Sequence, residues 1–147
     1  MELNVRYVFP GPVARVWDGL MDTTVIASCL PGCDAFEPIG DDRYRVVLNA
    51  TIAAVTGSFE GTVEITDKHP PVSYKLAVDG KGRPGFVKGE AAITLTEDAS
   101  GVIVDVAATA QVGGLVAQVG QRLIGATARM MTDRFFTCLQ RQLQQRP

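Results

Sequence analysis

The chain has 147 residues, 46% of them hydrophobic and 20% charged, with a formal net charge of −2. That length is one domain's worth and suffices for a sizeable core, while so neutral a balance argues against nucleic acid as a partner. No apolar run approaches the roughly 18–20 residues of a membrane span, and the opening MELNVRYVFP lacks the basic-then-apolar order of a signal peptide. A single cytoplasmic domain over residues 1–147 is expected.

The first element, LNVRYVF, alternates Leu3, Val5, Tyr7 and Phe9 on one face with Asn4 and Arg6 on the other, the pattern of a half-buried strand. Pro10-Gly11-Pro12 ends it. VARVWDGLMD then places Val13, Val16, Trp17 and Leu20 at helical spacing, and a second short helix, TTVIASCL, is stopped by Pro31-Gly32. From about residue 34 to 112 the period is two. Six strands follow in succession, separated by turn signals at Gly40-Asp41-Asp42, His69-Pro70-Pro71, Gly82 to Gly85 and Asp98 to Gly101. Short connections between successive strands make an antiparallel meander.

The remainder, Gly113 to about Gln144, reads as one long helix. Leu115, Val119, Leu123, Ala126 and Met130 form one apolar stripe; Ile124, Met131, Phe135, Cys138 and Leu139 form the next. An arc that wide exceeds the usual apolar face of a surface helix. The economical packing is an α+β helix-grip arrangement, a seven-stranded antiparallel sheet wrapped around the long C-terminal helix, with two short helices after strand 1.

Charges mark the outer face of the sheet: Glu60, Glu64, Lys75, Asp79, Lys81, Lys88, Glu90 and Asp105. Their alternates include the large Leu48, Ile65, Leu76, Ile93, Leu95 and Val104, but also a run of small residues, among them Ala50, Gly61, Gly80, Gly89, Ala91, Ala108 and Ala110. Small residues either let the helix approach closely and the strands bend, or leave room. The helix opposes them with small residues of its own, so an elongated apolar cavity is expected, because interiors are otherwise close-packed. Periodicity assigns Phe59, Leu115, Val119, Leu123 and Met130 to its wall.

Catalytic and metal chemistry find little support. His69, the single histidine, lies in the turn DKHPPVSY, where a solvated role is the ordinary one. No serine has a histidine at readable spacing, and GKGRPG at 80–85 precedes a strand rather than the helix a phosphate loop requires. Lys81 and Arg83 in that turn either meet a polar head group or are solvated. Tyr7, Tyr44 and Tyr74 fall on inward faces. Three cysteines fit a reducing compartment better than a disulfide framework. Cys29 and Cys33 lack further ligands for zinc and are expected to form neither a metal site nor a disulfide. No catalytic residue, metal or cofactor is assigned.

LPGC at 30–33, GKGRPGFVKGEA at 80–91 and TAQVGGLVAQVGQRLI at 109–124 resemble the carbon monoxide dehydrogenase G-subunit family (CoxG) of the START-like (SRPBCC), helix-grip superfamily. The weaker VWDGLMD at 16–22 is shared across the superfamily. The resemblance runs nearly end to end. It implies a non-catalytic accessory protein of an aerobic carbon monoxide dehydrogenase or related molybdenum hydroxylase. Such a protein would hold a lipophilic molecule, a quinone or lipid, and link the enzyme to the inner face of the membrane. Analogy with the fold's mouth adds Leu30 and Phe86 to the wall, and makes Cys29 and Cys33 small apolar residues beside it. Some longer relatives carry a hydrophobic tail; this sequence stops at Pro147, so anchoring by a tail is not expected. The rival class on this fold is a small cyclase or dehydratase. The last helix carries Arg122, Arg129, Arg134 and Arg141, with Arg146 beyond, against Asp133 alone, and that basic face is expected to contact the partner enzyme or anionic lipid.

Overall fold

The computed structural model describes residues 1–52 and 54–145. Strand β1 (Glu2–Phe9) is followed by α1 (Val13–Met21) and α2 (Thr23–Cys29). Six strands come next: β2 (Cys33–Gly40), β3 (Arg43–Ile52), β4 (Val55–His69), β5 (Ser73–Gly82), β6 (Gly85–Asp98) and β7 (Gly101–Gly113). A 3-10 turn (Leu115–Val119) leads into α3 (Gln121–Gln145). The strands form one antiparallel sheet in the order β1-β7-β6-β5-β4-β3-β2, a meander whose first strand closes onto its last.

The expected inner and outer faces are the observed ones. Ile65 pairs with Leu76, Gly61 with Gly80, Gly89 with Ala110 and Val5 with Val106, all toward the helix layer. Glu64 pairs with Ala77 and Asp79 with Lys88 on the outside. The N-terminus of α2 is capped by Asp22, which accepts from the Thr24 and Val25 amides at 2.9 and 3.3 Å. At its other end, Gly32 adopts φ +74°, and a Cβ there would lie 2.1 Å from the Asn49 carbonyl oxygen. The LPGC turn therefore needs glycine, and it is fastened to β3 by the bond from the Asn49 amide to the Gly32 carbonyl at 2.8 Å.

The core lies at one end. Phe9, Val16, Val25, Val102, Val104 and Leu139 are essentially fully buried there. The Tyr7 ring stacks on Phe136 at 4.3 Å, and Trp17 meets Tyr74 edge-on at 5.4 Å. Gly19 lets α1 approach α3 closely: a Cβ there would sit 3.0 Å from a Leu139 methyl. The Arg15 guanidinium donates to the Leu143 carbonyl near the C-terminus of α3, where such carbonyls lack helical partners.

Two sequence expectations are corrected. The last helix begins at Gln121, not Gly113: Gly113 closes β7, and Gly120 at φ +94° separates the 3-10 turn from α3. Cys29 is also not free. It forms a disulfide with Cys138, Cα atoms 5.4 Å apart, tying the end of α2 to α3, while Cys33 is the free thiol. The pairing was invisible in sequence because 109 residues separate the two, and only the packing of α2 on α3 brings them together.

Candidate functional site

Burial changes along every inner strand face. On β7, Val102 and Val104 are fully buried and Val106 nearly so, whereas Ala108 and Ala110 are only half-buried. On β6, Leu95 and Ile93 are buried but Ala91, Gly89 and Val87 are not. On β4, Ile65 is buried and Val63, Gly61 and Phe59 are partly exposed. One half of the sheet is thus sealed by α1, α2 and the C-terminal half of α3. The other half, toward the β3–β4 and β5–β6 hairpins, presents apolar side chains that none of the described residues fully covers.

Glycines on the two facing surfaces measure the opening. A Cβ on Gly80 would find only the Glu60 carbonyl oxygen, at 3.9 Å, and one on Gly125 of α3 would find nothing within 4 Å. Not every small residue marks space. A Cβ at Gly61 would lie 2.0 Å from the Asp79 carbonyl oxygen, and one at Gly82 equally close to that of Ser58. Those two glycines permit close backbone approach where the sheet bends.

Helical phase decides which side chains of α3 face this opening. Leu139 and Leu143 are buried, and residues at the matching 3.6 period are Ile124, Ala128, Met131, Thr132 and Phe135. Leu123 and Met130 share the opposite face with Arg134 and Arg141; Leu123 is 46% exposed and Met130 39%. Of the expected wall residues, Phe59 points inward beside Leu48, and Leu30 and Val119 are half-buried at the open half. Leu115 stands out from the 3-10 turn, 56% exposed. Phe86 alternates to the outer face with Lys88, where its ring lies over Gly113. Ala128 and Thr132 were missed; the phase set by Leu139 and Leu143 carries that signal.

Polar groups bordering the helix are few. The Tyr7 hydroxyl donates to Asp133 Oδ1 at 2.6 Å, and Arg129 Nε lies 3.6 Å from the same oxygen, which latches α3 to the edge strand β1. Burial, then this hydrogen bond, raises the Tyr7 phenol above its ordinary range. Tyr74, raised by burial alone, belongs to the packed end. Burial also raises the Cys33 thiol, which donates to the Ala35 carbonyl at 3.3 Å. His69 is exposed at the end of β4. Among the described residues no three His, Cys, Asp or Glu side chains converge as metal ligands. A depression of about 640 Å³ on the outer sheet face, between Glu64, Asp79, Lys88 and Glu90, is open to solvent, and among the described residues no buried polar group converges on it. Arg146 lies outside the described residues.

The family model for the carbon monoxide dehydrogenase G subunit (CoxG) matches residues 10–144. The chain belongs to the CoxG family. A conserved protein from Geobacillus kaustophilus of known structure is 38% identical over 97% of this chain and 95% of its own, with a TM-score of 0.92. Two more distant structures share the fold of this CoxG-family chain. A Thermus thermophilus protein is 13% identical, covers 97% of both chains and has a TM-score of 0.71. The Zhui aromatase/cyclase from a Streptomyces species is 13% identical over 99% of this chain and 94% of that one, with a TM-score of 0.66. No curated protein matches the chain. Among the described residues, no helix is long and apolar enough to cross a membrane.

Proposed function

We propose that this CoxG-family protein is a non-catalytic carrier. It holds one lipophilic molecule, a quinone or lipid, between the open half of the sheet and α3, and links an aerobic carbon monoxide dehydrogenase or related molybdenum hydroxylase to the membrane. The observation that carries this reading is the fall in burial along β4, β6 and β7. Apolar positions such as Phe59, Val63, Val78 and Ala108 remain half-exposed at the centre of a sheet whose other half is sealed. An apolar guest would remove that surface from water, gaining about 25 cal/mol per Å² covered. Leu48, Phe59 and Val63 form one wall, Ile124, Met131 and Phe135 the other, and Leu30 of the LPGC turn and Val119 border the opening.

The absence of a tuned acid or base aimed into this space among the described residues weighs against the cyclase reading, since such chemistry needs one in contact with substrate. Native mass spectrometry of the protein from its own host, followed by solvent extraction, tests the proposal. The expected result is a one-to-one adduct that extracts as a quinone or lipid, with the molybdenum hydroxylase copurifying. An adduct-free protein that binds no lipophilic probe would overturn it.

A further inference from the structure

The meander sorts its turns to two ends of the molecule, and the charges sort with them. The β2–β3, β4–β5 and β6–β7 turns carry Asp41, Asp42, Asp67, Glu97 and Asp98 against Arg43 and Lys68. At the other end lie the β3–β4 and β5–β6 hairpins, the 3-10 turn and the first turn of α3. Residues 49–58, 80–88 and 111–125, which build that end, contain no aspartate or glutamate. They contain Lys81, Arg83, Lys88 and Arg122. A chain of net charge −2 is therefore strongly dipolar.

These pieces form one surface. The ring of Pro84 would lie 2.5 Å from a Cβ on Gly57, so the two hairpins adjoin, and the Val116 amide donates to the Pro84 carbonyl at 2.7 Å, fixing the 3-10 turn against them. Lys88 faces Asp79 across the β5–β6 pair, and Glu60, the neighbour of Lys81, is engaged by Arg45 at 2.5 Å. Lys81, Arg83 and Arg122 are exposed and form no ion pair among the described residues. Beside them stand the exposed apolar side chains Phe86, Leu115 and Leu123. This end is also the one toward which the inner sheet face opens.

We infer that the acid-free end docks on an anionic lipid surface, with Phe86 and Leu115 entering the interface and Lys81, Arg83 and Arg122 collaring them. Exposed large apolar side chains interleaved with cations match a bilayer's acyl boundary and anionic head groups. The acidic far end orients the molecule on approach, since a segregated charge distribution steers encounter. This site differs from the α3 basic face expected from sequence: Arg129 there is paired with Asp133, and Arg134 and Arg141 lie further along the helix. The inference rests on the carrier reading for what docking delivers, namely transfer of a lipophilic guest through the open end.

Sedimentation with vesicles tests it without any cargo. Vesicles of phosphatidylcholine alone are compared with vesicles one-third phosphatidylglycerol, at low and high salt. Binding is expected to the anionic vesicles only, weakened by salt. Each cation lost should weaken it about five-fold, so Lys81→Gln/Arg83→Gln together should cost about 30-fold. Phe86→Trp should add a tryptophan emission, over that of the wild type, that shifts to the blue with anionic vesicles. Arg134→Gln/Arg141→Gln should bind nearly as wild type. Failure to bind either vesicle, an unshifted added emission from sedimented Phe86→Trp protein, or a greater loss in the Arg134/Arg141 pair would overturn the inference. Loss of the copurifying enzyme rather than of vesicles in the Lys81/Arg83 variant would likewise overturn it, in favour of an acidic protein surface. Solution binding of a lipophilic probe, measured separately, reports on the carrier reading alone, so the two can fail independently.

Discussion

Gly61 and Gly80 are cross-strand partners on the same inner face, yet side chains added to them should have opposite consequences. A Cβ at Gly80 meets only one atom, at 3.9 Å, and enters the space assigned to the guest. Relieving a strand glycine contributes about 0.5–1 kcal/mol of stability, so Gly80→Leu should fold at least as well as wild type. If its four side-chain carbons displace as many methylenes of a guest, binding falls by about 3 kcal/mol at about 0.8 kcal/mol each, on the order of 100-fold. A Cβ at Gly61 lies 2.0 Å from the Asp79 carbonyl oxygen, which belongs to the ladder and cannot rotate away. Gly61→Ala should therefore cost about 3 kcal/mol or more, a fall in Tm on the order of 10 °C for this size. Differential scanning calorimetry and titration with a fluorescent lipophilic probe check both variants. A well-folded Gly80→Leu protein with undiminished probe binding would refute the location of the site, and a fully stable Gly61→Ala would refute the sheet geometry behind it.

Non-reducing peptide mapping should recover Cys29 linked to Cys138, with Cys33 alkylated slowly near neutral pH because burial holds its thiol protonated. Cys138→Ser, which opens a loop of 109 residues, should lower stability by about 2–4 kcal/mol; an unchanged unfolding midpoint would show that the cross-link is not formed in the protein tested. Tyr7 and Tyr74 both have phenols raised in the folded state, so the unfolded chain loses those protons first. Their contribution is fully present below the ordinary tyrosine value of about 10 and is lost as pH rises beyond it. Denaturant titrations should show stability falling above that pH, less steeply in Tyr74→Phe. Gly19→Val should destabilise by about 1–3 kcal/mol through overpacking against Leu139 and Leu143, read from the same titrations.

Most of the fold was legible because the sheet obeys a period that charges cannot hide. Glu60, Glu64, Asp79, Lys88 and Glu90 fix the outer face of their strands, and every inner-face assignment made from them agrees with the observed register. The small inner residues were legible as a set but not individually. Sequence alone treats Gly61 and Gly80 alike, and only the bend of β4 against β5 separates the glycine that permits backbone approach from the one that borders open space. Phe86 was placed by analogy with the fold's mouth rather than by period, and the period, with Lys88 two residues on, puts it outside.

The helix was misread for a related reason. Counting Gly113–Val119 as helical extended a stripe from Leu115 and Val119 through Leu123 to Met130. A 3-10 turn advances by three residues per turn rather than 3.6, and Gly120 at φ +94° resets the direction of the chain before α3 begins. The phase of α3 is set from its other end, where Leu139 and Leu143 are fixed in the core among Val16, Trp17, Leu20 and Phe9. Counting back from them turns Leu123 outward and Ile124 inward. The same break gives the open end its character. Had the helix run unbroken from Gly113, Leu115 and Leu123 would share one stripe and neither would be free of it. Instead the glycine lets Leu115 project beside the β5–β6 hairpin and Leu123 beside Arg122, two apolar side chains on separate elements at the rim of the same opening.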